Sequence, residues 1–200
     1  MELDLEGKQA ARAYAILASL VTPRPIALVT TLGPGGVINV APFSFFNVLG
    51  AEPPIVAFAP GDREDGTPKD TALNVRAGHE FVVNLVDEAI AEAMNRCAAS
   101  LPYGTSELNE AGLSTVPSSV IAPPRIAEAP ASLECTEWGT LQIGANRVII
   151  GLVKRVQLRD EFFDEQKERV LGEKLTLIGR MSAPHWYCRT RDRFEMERPG

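Results

Sequence analysis

The 200-residue chain reads as a mainly β protein, a closed or nearly closed antiparallel barrel with peripheral α-helices. Three observations carry that reading. Apolar residues make up 45% and charged residues 23%, the proportions of a globular chain with a substantial core. Extended runs outnumber helical ones and follow one another through short turns, whereas an alternating βαβ wind would put a helix after nearly every strand. Two of those runs, residues 132–144 and 146–158, are long and joined tightly enough to pair. A closed antiparallel sheet accommodates such a set best.

The elements follow in order. Residues 8–21, KQAARAYAILASLV, favour helix and place Tyr14, Leu17 and Val21 at helical spacing, until Thr22-Pro23-Arg24-Pro25 ends the run. PIALVTTL (25–32), the turn Gly33-Pro34-Gly35-Gly36 and VINVA (37–41) predict a hairpin. IVAFAP (55–60) follows Pro53-Pro54 as another strand, and GDREDG (61–66) is an acidic, turn-rich loop. A helix then opens with Thr67 as N-cap, Pro68 in the first turn and Asp70 as its acidic residue, closing with Gly78 at C′. EFVVNLV (80–86) reads as a strand and 87–100 as a helix capped by Asp87. Residues 101–130, rich in Pro, Ser, Gly and Ala, read as a surface segment with one helical turn near Ser106–Ala111. Beyond 159 the chain is charged until LTLIGR (175–180), then aromatic at HWYCR (185–189).

Several function classes fall away. The net charge is −6 and no Lys/Arg cluster is interleaved with aromatics, so neither nucleic acid nor an anionic membrane is expected as a partner. Cys97, Cys135 and Cys188 are an odd, widely spaced set. With no signal-peptide pattern and no apolar run of about 20 residues, they fit a reducing, cytoplasmic location. Gly33, Gly35 and Gly36 precede an extended run rather than a helix, which removes a dinucleotide-binding loop. His79, His185 and the cysteines show no ligand spacing beyond His185 and Cys188, so no metal site is predicted. Cys97 and Cys135 read as small core hydrophobes.

Two segments carry chemistry. At 67–71, backbone N–H groups of a helix N-terminus with Lys69 and the hydroxyls of Thr67 and Thr71 suit a phosphate. The same residues also serve as a plain helix cap. In NVAPFSFFNVLGAEPP (39–54), Phe43, Phe45 and Phe46 flank Ser44 and precede Asn47. They form either a two-layer core or the wall of a site for a flat, polar-edged ligand. The residues alone leave both pairs of readings open.

Three segments taken together carry a resemblance: TPRPIALVTTLGPGGVINVAPFSFFNVLGAEPPIVAF (22–58), KDTALNVRAGHEFVVNL (69–85) and LIGRMSAPHWYCR (177–189). Their ordered set RPIA, N-x-APFSFFN, PP, KDT, EFVVN and GR resembles the flavin reductase-like proteins with an FMN-binding split barrel. The branch is the one that includes the nitrilotriacetate monooxygenase reductase component. The likeness spans roughly residues 14–189. It implies a six-stranded antiparallel Greek-key split barrel forming one domain over 1–200, with a charged C-terminal tail, in a homodimer with FMN near the subunit interface. Carried over by position, Thr30, Thr31, Ser44, Phe45, Phe46 and Asn47 line the flavin. Lys69, Asp70 and Thr71 meet its ribityl-phosphate end, and Arg180 and the aromatic tail approach from the partner subunit.

The implied activity is NAD(P)H-dependent flavin reduction, with a separate monooxygenase component as one candidate recipient of the electrons. Hydride chemistry belongs to the cofactor, which agrees with the lack of a catalytic triad or carboxylate pair. One departure bears on it. Many such reductases carry Gly-Asp-His before the last long strand, where this chain reads Gly144-Ala145-Asn146. Asn146 hydrogen-bonds a carboxamide but does not change charge, and His185 is the other candidate near the transfer site. An FMN-binding or carrier protein without reductase activity is therefore the alternative. A pyridoxamine-phosphate oxidase-like or haem-related protein on the same barrel is a third reading.

Overall fold

A computed structural model describes residues 1–199. Seven strands form the main sheet: β1 Ala27–Leu32, β2 Ile38–Phe43, β3 Phe46–Ala51, β4 Pro54–Phe58, β5 Glu80–Leu85, β6 Ala131–Ile143 and β7 Asn146–Leu158. Their order is β2-β1-β5-β6-β7-β4-β3, antiparallel throughout. The two edge strands, β2 and β3, are consecutive in the chain and separated only by Ser44 and Phe45. They are the halves of one bent strand, so the sheet curls until its two edges meet at that bend. Counting 38–51 as a single strand gives the six of a split barrel.

Alternation along the strands builds two cores. Ala27 and Val29 of β1, Phe43, Phe46, Phe58, Phe81, Val83, Cys135 and Ile149 pack inside the barrel together with Ala72 and Val75 of the helix Asp70–Gly78. Ile26, Leu28 and Val40 point outward and pack with Val86, Ile90, Met94, Cys97, Leu113 and Ile126. Phe58 links the inner rings, with centroids 5.3 Å from Phe43 and 5.2 Å from Phe81. The bend at Ser44-Phe45 resets the alternation, so Phe43 and Phe46 both face inward while Phe45 lies outside against Tyr14 at 6.0 Å.

The segment 101–130 runs over the surface with its helical turn at Leu108–Ala111, as the sequence suggests, and its second half covers the outward face of β1, β5 and β6. Because that face is buried, its polar side chains are spent on the segment's backbone. The Thr30 hydroxyl donates to Pro124 O at 2.6 Å, and Asn84 Oδ1 accepts from Ile126 N at 2.9 Å and from the Ser132 hydroxyl at 2.8 Å. Glu134, 0% exposed, accepts from the N–H groups of Ser119 and Val120, each at 3.0 Å, and from Gln157 at 3.1 Å. Burial acts to raise its pKa but is outweighed by these hydrogen bonds, so the carboxyl lies below its ordinary value.

Among the described residues four α-helices flank the sheet: α1 Ala13–Leu20, α2 Asp70–Gly78, α3 Ala91–Arg96 and α4 Leu108–Ala111. A 3₁₀ turn at Ala10–Arg12 replaces the start of the predicted 8–21 helix. The predicted 87–100 helix shrinks to α3, because the Asp87 carboxylate takes the N–H groups of Ala89 and Ile90 in a turn ahead of it. Arg24–Pro25, Ile178–Arg180 and Tyr187–Arg189 form a small separate sheet that brings the C-terminal part back to the barrel. Among the described residues no helix is long and apolar enough to cross a membrane.

Candidate functional site: a cleft at the N-terminus of α2

The start of α2 lies two residues later than the capping pattern predicts. Asp65 Oδ1 accepts from both the backbone N–H and the hydroxyl of Thr67, at 2.9 and 2.6 Å, which uses Thr67 in the loop. Lys69, extended at φ −67° and ψ 156°, becomes the N-cap position, and its carbonyl accepts from Ala72 N at 2.9 Å. At the other end His79, not Gly78, adopts the left-handed conformation (φ 56°) and returns its N–H to Val75 O at 2.7 Å. Its ring meets Glu137 at 2.8 Å, which helps to hold a non-glycine residue there.

In front of this helix start lies a cleft of about 630 Å³, within the range of small-molecule sites. Lys69, Asp70 and Thr71 form one wall, Pro42 and Phe43 another, and Cys97–Leu101 with Glu107 the third. The Lys69 ammonium stands 5.9 Å from the Phe43 ring centroid and has no carboxylate partner among the described residues. Arg63 pairs with the Asp70 carboxylate and also bonds Pro68 O. The rim loop is fixed in turn, since Arg147 of β7 grips both carboxylate oxygens of Asp62 at 2.6 and 3.1 Å.

The floor is a buried polar chain. Asn39 Nδ2 donates to Thr71 Oγ1 at 3.0 Å and lies 3.4 Å from Thr31 Oγ1, which also accepts from Asn74 at 3.1 Å. Thr31 thus joins the predicted trio at 69–71. Glu107 caps the free edge of β2, accepting from Val40 N at 2.8 Å. Burial raises its pKa above the ordinary carboxylate value. Burial, with the Glu107 charge beside it, also pushes Cys97 up to about 12, so this thiol is no nucleophile near neutral pH.

The other predicted site residues fall elsewhere. Ser44, Phe45, Phe46 and Asn47 line a second hollow of about 360 Å³ on the far side of the bend, with Arg24 and Val148. Thr30 faces the opposite side of the sheet under Pro124. Arg180 lies on the small sheet opposite Arg24, 4.6 Å from the Tyr187 ring centroid. Asn146 begins β7 beside Gly61, its amide 3.5 Å from Ile143 O, and His185 is in the exposed turn before Tyr187. Sequence reasoning did not single out Asn39, Arg63 or Glu107. Asn39 had a signal, an amide at an inward position of an apolar strand. Arg63 lies in the acidic loop at 61–66, and Glu107 in a helical turn too short to show which way its side chain faces.

A split antiparallel barrel whose bent strand runs between a phosphate-suited cleft and an aromatic hollow defines a class of small-ligand-binding proteins. Residues 19–184 match the family model described as a flavin reductase like domain. An uncharacterized protein of Deinococcus radiodurans is 46% identical over 98% of this chain and 88% of its own length. Among solved structures, the 2-nitrobenzoate 2-nitroreductase NbaA of Pseudomonas fluorescens is 34% identical, with a TM-score of 0.89 over 100% of this chain and 96% of that one. Nitrilotriacetate monooxygenase component B of Bacillus cereus is 32% identical, with a TM-score of 0.92 over 98% of each. The chain belongs to the flavin reductase-like family.

Proposed function

We propose that the chain is a single-domain FMN-binding oxidoreductase that passes hydride from NAD(P)H to flavin. The observation that carries this is the cleft in front of α2, with an unpaired lysine and an aromatic wall. The donor set fits the cofactor. First-turn N–H groups of α2, the Lys69 ammonium and the Thr71 hydroxyl would hold the phosphate. The Asn39–Thr71–Thr31 chain would fix those hydroxyls, and Phe43 would give the apolar surface that leads to the bend. Ser44, Phe45, Phe46 and Asn47 would face the ring, with Arg180 approaching beyond Arg24. Thr30, committed to Pro124, has no part in the site.

Bound FMN would supply the hydride-accepting chemistry, leaving orientation, water exclusion and charge stabilisation to the protein. Absorbance spectra of the purified protein with FMN, before and after NADH, NADPH or dithionite, test this. Bleaching by either nicotinamide is expected, and bleaching by dithionite alone overturns the reductase reading. The relatives named above motivate two acceptors, a nitroaromatic acid and a separate monooxygenase component.

Asn146 supports a second reading, an FMN carrier. An exposed amide stands where many reductases of the family have histidine, and tight FMN binding without nicotinamide oxidation is its signature.

A homodimer also fits. α1 exposes Tyr14, Leu17 and Leu20, and next to it lie exposed Val21, Phe45, Val48 and Leu49. Leu17→Glu with Leu20→Glu is expected to turn a dimer into a monomer in light scattering; a monomeric native protein refutes the assignment. A reducing, cytoplasmic location agrees with the three free thiols.

A further inference from the structure

Glu107 is a buried carboxyl that the proposed binding chemistry leaves unused. It lines the cleft, is 7% exposed, and has no cation within ion-pair distance among the described residues. Asp70 shares the cleft, but Arg63 compensates it. The groups facing Glu107 can be named element by element. Asp70 of α2 and Glu110 of α4 bear on its charge, the end of α3 presents the protonated Cys97 thiol, and the cleft it lines also holds Lys69 and the rim-loop groups Asp62, Arg63, Glu64 and Asp65. β2 offers only the neutral Val40 N–H and Asn39. Asn39, adjacent to Val40, bonds Thr71 at the helix start, so Glu107 lies one residue from the network that lines the anion position.

We propose that Glu107 sets the selectivity of the cleft for phosphorylated over unphosphorylated flavin, by taking up a proton from solvent when a phosphate-bearing ligand enters. The inference rests on the FMN reading. An ionised Glu107 opposes a second anion in a partly desolvated cleft, whereas the neutral acid does not. Protonation at Oε1 leaves Oε2 to accept the Val40 N–H, so the strand edge stays capped. An anionic ligand favours the protonated form further, and linkage makes FMN affinity fall as pH rises between the free and ligand-bound pKa values of Glu107. Riboflavin, which has no phosphate, escapes this dependence.

The test is FMN and riboflavin binding by fluorescence titration from about pH 4.5, the ordinary carboxylate value, to about 8.5, with wild type, Glu107→Gln and Glu110→Gln. Glutamine keeps an acceptor for Val40 N, and a thermal melt checks that the fold is retained. The ratio of wild-type to E107Q dissociation constants for FMN is expected to grow by about fivefold across this range, within the limit of tenfold per pH unit for one coupled proton. Ionisation of the FMN phosphate itself, with a pKa of about 6, cancels in that ratio. For riboflavin the ratio is expected to stay flat, and E110Q, which removes only the smallest contribution to the environment of Glu107, is expected to keep the wild-type pH dependence with at most a small displacement. A flat ratio for FMN, an equal slope for riboflavin, or the same effect from E110Q overturns the role of Glu107 while leaving the FMN site in place. Failure of wild type to bind FMN at any pH overturns the FMN reading itself, and this inference with it.

Discussion

Gly151 is the point at which one methyl group would disturb both the barrel and the cleft. It sits on β7 opposite Glu137 on one side and Val56 on the other, facing inward. A Cβ added there would stand 2.3 Å from Cζ and 2.9 Å from Cε1 of Phe81, and 3.4 Å from Cβ of Cys135. To restore ordinary contact the Phe81 ring must retreat by about 1 Å in a close-packed interior. It has little room, because it is wholly buried and packs edge-on to Phe58, which packs on Phe43, the ring lining the cleft. Overpacking of this kind costs about 1–3 kcal/mol, and the rigid neighbours put Gly151→Ala near the top of that range. In a protein of this size that is a fall in Tm of roughly 5–10 °C. Urea and thermal unfolding measure it, and FMN titration reports whether the shift reaches Phe43. A double-mutant cycle with Phe81→Leu supplies the control, since removing the ring tip should recover about 1 kcal/mol or more of the G151A loss. A G151A protein within about 0.5 kcal/mol of wild type, or full additivity with F81L, would refute the steric account.

Other expectations follow from the same contacts. Lys69→Met should leave Tm unchanged, because Lys69 is exposed and unpaired, and should weaken FMN by about tenfold through loss of one charge-assisted contact; binding within twofold of wild type counts against the phosphate assignment. Asn84→Ala should cost about 2–3 kcal/mol in urea unfolding, since it leaves Ile126 N–H and the Ser132 hydroxyl without their buried acceptor. Glu134 has a folded pKa below its ordinary 4.5, so its stabilisation is present above that pH and is lost as pH falls through the folded value. The wild-type urea midpoint should therefore drop below about pH 4.5 more steeply than that of Glu134→Gln, and parallel profiles would remove Glu134 from the account of acid loosening.

The hairpins at 27–43 and 131–158 were legible because their alternation and turns are local. The helix at 70–78 was legible in kind but not in register. Nothing in the sequence shows that Asp65 occupies Thr67, so the cap moved to Lys69. The docking of the 101–130 segment onto the sheet was not legible, because it depends on side chains from strands elsewhere in the sequence: Thr30, Asn84 and Glu134 supply the partners that a Pro- and Ser-rich stretch lacks within itself. The pairing of Arg24–Pro25 with Gly179–Arg180 joins strands of two and three residues, too short for any periodic pattern. The candidate site divided in the same way. Lys69, Asp70 and Thr71 are contiguous and carry their own signal, whereas Glu107 reaches the cleft only through the covering segment.

The buried polar row beneath that segment also acts as a gauge of strand alignment. Thr30, Asn84 and Glu134 come from three neighbouring strands, and each must meet a fixed backbone group of residues 119–126. A two-residue slip of β6 against β5 would keep apolar side chains facing inward, so the inner core alone would discriminate weakly against it. It would also carry Glu134 away from the Ser119 and Val120 N–H groups and bury it without partners, a far larger penalty. Correct assembly is thus checked from outside the barrel, by a segment that can dock only after the strands agree. Pulse-labelled hydrogen exchange during refolding should accordingly protect the β5–β6 amides before those of Ser119, Val120 and Ile126, and the reverse order would show that the segment templates the sheet instead.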